Sequence, residues 1–361
     1  MITVTKTFVP DFNTYVEYLR QIWDQRWVTN HGPLSQRLQA ELKSLFGVKH
    51  VYLVSNGTIA LQIAIRALGL GGEIITSAFS YVATTAAICW EGCEPIYSEI
   101  DPRTFCLDPA CIEAKINGNT SAILPVHVYG NSCDVEKIQQ IAEANRLKVI
   151  YDGAQAFACR LNGKAILNNG DISTVSFHAT KLFHTGEGGA ILTNDDDLAH
   201  KIFYLMNFGH NGPEAFFGLG INAKNSELHA AMGLAVLPHV PTLIQKRKVV
   251  TDEYDRLLAP FWKAKLSRPT SQPGLQYNYS YYPVLFESES VLLRVRAALK
   301  DQLILTRRYF YPALNRLNYV KPQSVPITED VAKRVLCLPL YHDLESEIVS
   351  KIARIVGEVI E

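Results

Sequence analysis

Neither sign of charge is in excess: 35 Lys and Arg stand against 35 Asp and Glu. A dedicated binder of nucleic acid or of an anionic membrane concentrates positive charge, so the balance argues against both roles. Any anion this chain holds must be gripped by a local site. Long apolar runs are missing too, and none reaches the length needed to span a bilayer. The opening MITVTKTFVPDF lacks a basic stretch followed by an apolar one, so no signal peptide is expected. The seven cysteines (89, 93, 106, 111, 133, 159 and 337) are odd in number and scattered, with no C-x-x-C pair. No His/Cys set at zinc spacing accompanies them, so no metal is expected. Free thiols in a reducing cytoplasm are the expectation. A Walker A loop and a G-x-G-x-x-G following a strand are also absent, which weakens nucleoside triphosphate and dinucleotide readings.

What is present suits a soluble enzyme. With 361 residues, 48% apolar and 19% charged, the chain can bury one large core and one smaller one. Short apolar strands alternate with helices from about residue 51 to 152, the pattern of a mostly parallel sheet covered on both faces. Expected strands are 51–54, 73–76, 95–97, 122–126 and 147–151. Expected helices include 12–27, 34–46, 59–68, 81–90, 109–116 and 135–145. Pro238 and Pro241 mark a boundary. The division expected is a large α/β domain over 1–241 and a smaller α+β domain over 242–361. In the smaller one, a strand at 280–285 and helices at 289–300 and 344–358 are expected.

One stretch organises the rest: DISTVSFHATKLFHTGEGGAILT, residues 171–193. It reads as a strand, a turn carrying Lys181, a glycine-flanked acid at Glu187 and a second strand. Most lysines lie on solvated faces. A lysine between two buried strands instead fits a nucleophile of lowered pKa that forms a Schiff base. Pyridoxal 5'-phosphate (PLP) is the carbonyl cofactor this suggests. Other segments supply matching parts. SNGTIAL at 55–61 follows a strand and opens a helix, so the amides of Gly57 and Thr58 could hold a phosphate, or the turn could be an ordinary capped helix start. Asp152 ends a strand, where ligands bind in open parallel sheets. A carboxylate there can pair with a pyridine nitrogen and keep the ring an electron sink; a turn or cap aspartate is the bland reading. Gln155 could meet the cofactor's phenolic oxygen, and Tyr81 could lie over the ring or simply be core. Ser176 and Asn222 are further phosphate candidates. His184 is a candidate for touching substrate, whereas His178 is expected to be structural. Glu187 is expected to brace the glycine turn by accepting from backbone amides.

SNGTIAL, PVHVYGNSCDV, YDGAQAF, SFHATKLFHTGEGGAILT and GLGINAKNSELHAAMGL together resemble the DegT-type sugar-nucleotide aminotransferases, fold type I PLP enzymes. The resemblance runs from about residue 25 to 315. WVTNHGPLSQRLQAEL and TRRYFYPALN are most similar to members that aminate TDP-4-keto-6-deoxyglucose at C4. It implies Lys181 as the Schiff-base lysine, Asp152 as the pyridinium partner and Gln155 near the phenolic oxygen. Tyr81 would stack on the ring, with Gly57, Thr58 and Ser176 as the phosphate cradle. Asn222 matches an asparagine that reaches the neighbouring subunit's phosphate, which implies a homodimer, and segment 1–33 is expected to line the site. Arg307, Arg308, Tyr309 and Tyr311 are expected near the sugar nucleotide or the carboxylate of the glutamate donor. Two positions depart from the family pattern. Ala223-Lys224 stands where an aromatic and an arginine are commoner, and Asn315 where many relatives have histidine. Alternatives are amination at C3, a sugar dehydratase, a desulfurase or a non-catalytic regulatory protein. The dehydratase would replace Lys181 by histidine, and a desulfurase needs a cysteine in a mobile Gly/Ser-rich loop.

Overall fold

The computed structural model describes residues 1–361. Seven strands make the central sheet: β1 (His50–Val54), β2 (Glu73–Ser77), β3 (Glu94–Ser98), β4 (Thr120–Leu124), β5 (Lys148–Asp152), β6 (Ile172–Ser176) and β7 (Gly189–Thr193). Their order is β1-β7-β6-β5-β4-β2-β3. Neighbours from β6 through β5, β4, β2 and β3 run parallel, while β7 runs antiparallel to both β6 and β1. Because β7 reverses, the chain leaves β6 at its carboxyl end and returns directly, without a crossover helix. The connection, residues 177–188, is therefore held at the carboxyl edge of the sheet.

Helices α1 (Phe12–Gln25), α2 (Pro33–Phe46), α3 (Gly57–Ala67), α4 (Val82–Trp90), α5 (Val135–Asn145), α6 (Asp196–Leu205) and α7 (Glu227–Val236) accompany the sheet. Helix α3 is apolar nearly all round, burying Ala60, Leu61, Ile63, Ala64 and Ile65. Asn56 caps it by accepting from the Ile59 amide at 2.9 Å. Its first turn seats directly on β7: a Cβ on Gly189 would lie 2.7 Å from the Asn56 carbonyl carbon and 2.9 Å from the Gly57 nitrogen. Only glycine permits that approach.

The helix expected over 109–116 is instead two single turns, Pro109–Cys111 and Glu113–Lys115. Asp108 caps the first turn by accepting from the Ala110 amide at 3.0 Å, and Ser98 donates to the Cys111 carbonyl at 2.9 Å, so a carbonyl that a continuing helix would pair is already engaged. Helix α1 ends at Gln25, not Trp27, because Arg26 turns left-handed at φ 53°.

After α7 the chain passes through the turn Leu237–His239 into α8 (Val240–Leu257). Strands β8 (Tyr282–Phe286) and β9 (Val335–Leu338) pair antiparallel, with Leu266–Ser267 on the outer edge of β8. Helices α9 (Glu289–Asp301), α10 (Pro326–Arg334) and α11 (Ser346–Ile360) complete this part. Its core includes Val284, Phe286, Leu292, Val295, Leu336, Ile352 and Val356. All seven cysteines are free thiols, and no helix is long and apolar enough to cross a membrane.

One long-range contact fixes the amino-terminal helices. Glu227 is 1% exposed, and its carboxylate accepts from the Leu34 amide at 2.8 Å and the Ser35 amide at 2.9 Å. Gly32 caps α2 but has no side chain to offer, so a carboxylate from α7 supplies the acceptor. Glu227→Ala is expected to cost about 2 kcal/mol of stability, read as a lower urea midpoint. Glu227→Gln, which keeps one acceptor, should lose less.

Candidate active site

A cavity of about 320 Å³ opens at the carboxyl edge of the sheet, where open α/β sheets bind ligands. Asn56, Gly57 and Thr58 reach it from the start of α3, Ser80 and Tyr81 from the turn after β2, and Val126 from beyond β4. Asp152 enters from the end of β5, Ser176 from the end of β6, and Lys181 from the β6–β7 connection. Tyr281, Arg307, Tyr309 and Phe310 close it from the carboxyl-terminal part of the chain.

The connection carrying Lys181 is pinned by aromatics. Phe157 stacks on Phe183 at 4.4 Å between ring centres, and Phe177 meets Phe183 edge-on at 4.9 Å. Backbone bonds from Phe177 to Gly188 (2.8 Å) and from Thr185 to Phe177 (3.0 Å) tie its base. With Leu182 and Phe183 buried, Lys181 is left facing the cavity. Burial there lowers its ammonium pKa from 10.5 to about 8, against the opposing pull of Asp152. The Asp152 carboxyl is itself buried, which raises its pKa. Bonds from the Ala154 amide (3.0 Å) and the Thr84 hydroxyl (2.8 Å), and the charge of Lys181, work the other way.

The remaining parts are equally local. Gly57 and Thr58 are first-turn residues whose amides have no intrahelical acceptor. Facing them is Ser176: a Cβ on Gly57 would come within 3.0 Å of the Ser176 Cβ. The Gln155 carboxamide oxygen accepts from the Tyr129 amide, which leaves Nε2 as its free donor toward the cavity. Tyr81 keeps 54% of its surface exposed while lining the cavity, so it presents a ring face.

A family model described as the DegT/DnrJ/EryC1/StrS aminotransferase family matches residues 12–357. The chain belongs to this family. A dTDP-4-amino-4,6-dideoxy-D-glucose transaminase from Shigella dysenteriae is 40% identical over 364 residues, 99% of either chain. A structure of DesI in the presence of its TDP-sugar product superposes with TM-score 0.92 at 32% identity, covering 98% of this chain and 92% of DesI. NtdA from Bacillus subtilis, with bound cofactor PMP, gives TM-score 0.88 at 29% identity, covering 96% of this chain and 81% of NtdA.

Several residues of this aminotransferase lie elsewhere than the sequence suggests. His184 is 3% exposed; one ring nitrogen bonds the Phe8 carbonyl at 2.6 Å and the other accepts from the Gly186 amide at 3.2 Å. It anchors the amino-terminal segment and does not line the cavity. His178, expected to be structural, is exposed and lines the cavity, 3.6 Å from the Glu187 carboxylate. Glu187 braces no backbone amide through that carboxylate. Its carbonyl accepts from the Thr185 hydroxyl at 2.6 Å, while its side chain stays open to the cavity. Arg307 and Tyr309 line the cavity, but Arg308 and Tyr311 do not. Arg307 bridges to Cys337 as an extended residue, and alternate side chains of such a segment point to opposite sides. Arg308 accordingly faces away, bonded to Glu289 (2.7 Å) and lying 3.4 Å over the ring of Tyr311. Asn315 is buried, donating to the Gln323 carbonyl (2.8 Å) and to Glu329 (2.7 Å), so it too is away from the cavity.

Asn222 is exposed and borders a second cavity with Thr29, Asn30, Asn207, Lys224 and His229, outside the Lys181 cavity. Ser80, Thr84, Tyr281 and Phe310 were not legible as site residues. For Thr84 a signal exists: two adjacent threonines interrupt the apolar helix VATTAAICW.

Below about pH 8 the cofactor-free protein desolvates an ammonium that the unfolded chain keeps in water. That penalty is full below about 8 and fades as pH rises toward the unfolded value of 10.5. Cofactor-free Lys181→Met is therefore expected to melt higher than cofactor-free wild type at pH 7. The gap should narrow steadily as pH is raised, and a gap that widens instead would contradict the desolvation.

Proposed function

We propose that this aminotransferase uses PLP to move an amino group from glutamate to C4 of dTDP-4-keto-6-deoxy-D-glucose, giving dTDP-4-amino-4,6-dideoxy-D-glucose. The carrying observation is a desolvated lysine amine facing a buried carboxylate across a cavity that ends on a helix amino terminus. Those features match the three ends of PLP in kind: aldehyde, ring nitrogen and phosphate. PMP bound to the similar NtdA supports the cofactor. The Shigella transaminase, similar over its full length, supports the sugar.

When bound, PLP supplies a carbonyl that takes up the amino group and a ring that delocalises the electron pair freed at the donor's Cα. The protein's residues do the rest. Lys181 Nζ is the group that would hold the cofactor's carbonyl carbon, and its amine is placed to take a proton from the donor Cα and to give one to the acceptor carbon. An amine whose pKa is near 8 suits both directions at neutral pH. Asp152 would accept from the ring N–H and keep it protonated. The Gly57 and Thr58 amides, with the Ser176 hydroxyl, would hold the phosphate. Gln155 Nε2 would donate to the phenolic oxygen, and Tyr81 would cover the ring. Arg307 has no carboxylate partner in the protein and serves the anionic groups of glutamate or the nucleotide sugar. Tyr309 lies 4.8 Å beneath its guanidinium and holds it in place.

We further propose a homodimer whose sites lie at the subunit interface. Phe216, Phe217, Leu219 and Ile221 expose apolar surface just before the exposed Asn222. A second copy covering that loop would bring Asn222 to the partner's phosphate site. We divide the chain into a large unit over 1–241 and a smaller unit over 242–361; of the first 33 residues, expected to line the site, Thr29 and Asn30 border the second cavity and none borders the Lys181 cavity. A cytoplasmic location and a product destined for surface polysaccharide such as O-antigen complete the reading.

Purified protein supplied with PLP should gain the visible band of the enzyme-bound cofactor, and Lys181→Ala should lack it. Asp152→Asn should retain the cofactor while turnover falls roughly 100-fold or more. The decisive assay incubates the enzyme with glutamate and a panel of nucleotide 3-keto and 4-keto sugars and locates the new amine by NMR. Nitrogen at C4 of the dTDP sugar is expected; nitrogen at C3, or none, refutes the assignment.

A further inference from the structure

The hydroxyls behind Asp152 have no assigned role. Thr84, wholly buried in the first turn of α4, lies 2.8 Å from Asp152 Oδ2. Ser80, 3% exposed and lining the cavity, lies 2.6 Å from the Thr84 hydroxyl. A threonine in a helix ordinarily turns its hydroxyl back to the carbonyl of residue i−4. Here it bonds a carboxylate on another element, so the contact joins α4 to β5. Its direction follows from proton count. An ionised carboxylate only accepts, so Thr84 spends its one proton on Asp152 and must itself accept from Ser80. The other carboxylate oxygen, Oδ1, accepts from the Ala154 amide at 3.0 Å. Each Asp152 oxygen thus has one fixed donor, and its remaining acceptor capacity points into the cavity.

We propose that Thr84, oriented by Ser80, is a positioning residue for Asp152 and, through it, for the ring nitrogen of the cofactor. This rests on Asp152 being the partner of that nitrogen. The chain Ser80–Thr84–Asp152 polarises in one direction, and each bond strengthens the next. Without Thr84 the carboxylate loses a fixed donor in a site that water reaches poorly. It is then free to rotate or to take up a proton, and in either case it serves the ring N–H less well.

The test measures PLP binding, independent of turnover. PLP is titrated into cofactor-free protein and followed by tryptophan fluorescence, with circular dichroism as the folding control. Thr84→Val, which keeps the shape and removes the hydroxyl, should raise the dissociation constant roughly ten- to hundredfold. Thr84→Ser should restore it to within about threefold of wild type. Ser80→Ala should fall between them, because Thr84 keeps its bond to Asp152 but loses its donor. Wild-type affinity in Thr84→Val overturns the proposal. So does Thr84→Ser binding as weakly as Thr84→Val, since packing of the methyl group would then be the cause. If Thr84→Val does not fold, Ser80→Ala decides, and unchanged affinity there overturns the relay. Failure of wild type to form a Lys181-dependent cofactor band is a separate result that removes the reading of the site itself, and the relay with it.

Discussion

The desolvation of Lys181 is the constraint on which the rest depends. An ammonium is strongly hydrated, and moving it into a protein wall is unfavourable unless it is paired or gives up its proton. Here it is left facing the cavity, with Asp152 acting on it only as a neighbouring charge. The protein therefore carries a half-buried amine and a buried carboxyl whose pKa values move toward one another, the amine down and the carboxyl up. Closing them into a direct ion pair would relieve both and leave an amine too well satisfied to attack a carbonyl. The scaffold's task is to keep the gap open.

Rigid elements do this on each side. Asp152 is the last residue of a buried parallel strand, and its carboxylate is held by an amide and a hydroxyl. Lys181 sits on a connection that could be slack, but the Phe157, Phe177 and Phe183 cluster beneath it is not. The antiparallel β7 allows that connection to be short, and the bare Gly189 in β7 lets the first turn of α3 sit beside it. Strand reversal, glycine contact and aromatic cluster are three separate features with one consequence: the connection carrying Lys181 is held in place against the sheet edge.

Much of this is legible in the sequence because it is local. A lysine between two short apolar strands, an aspartate ending a strand, and a glycine opening a helix after a strand all carry their meaning within a few residues. The misreadings share an opposite character. His178 and His184 lie symmetrically about Lys181, and nothing in the sequence tells which one the Phe8 carbonyl will claim from 176 residues away. The Glu227 carboxylate that starts α2 comes from 192 positions along the chain. The single turns at 109–115 look helical until Asp108 and Ser98 are seen taking their backbone groups. Side-chain destinations fixed by distant packing are what a linear pattern cannot show.

Arg307 to Tyr309 sit between these cases. Proximity in sequence alone would place all three near the site. Read as an extended segment, period two sends Arg307 and Tyr309 to one side and Arg308 to the other, as observed. The side of the cavity that holds Lys181 and Asp152 is built by the amino-terminal two-thirds of the chain, and the wall of Tyr281, Arg307, Tyr309 and Phe310 by the last third. The two sets share no element. They meet in space at Tyr281, which borders Lys181, Gln155 and Ser176 as well, so the far wall is not independent of the lysine it faces.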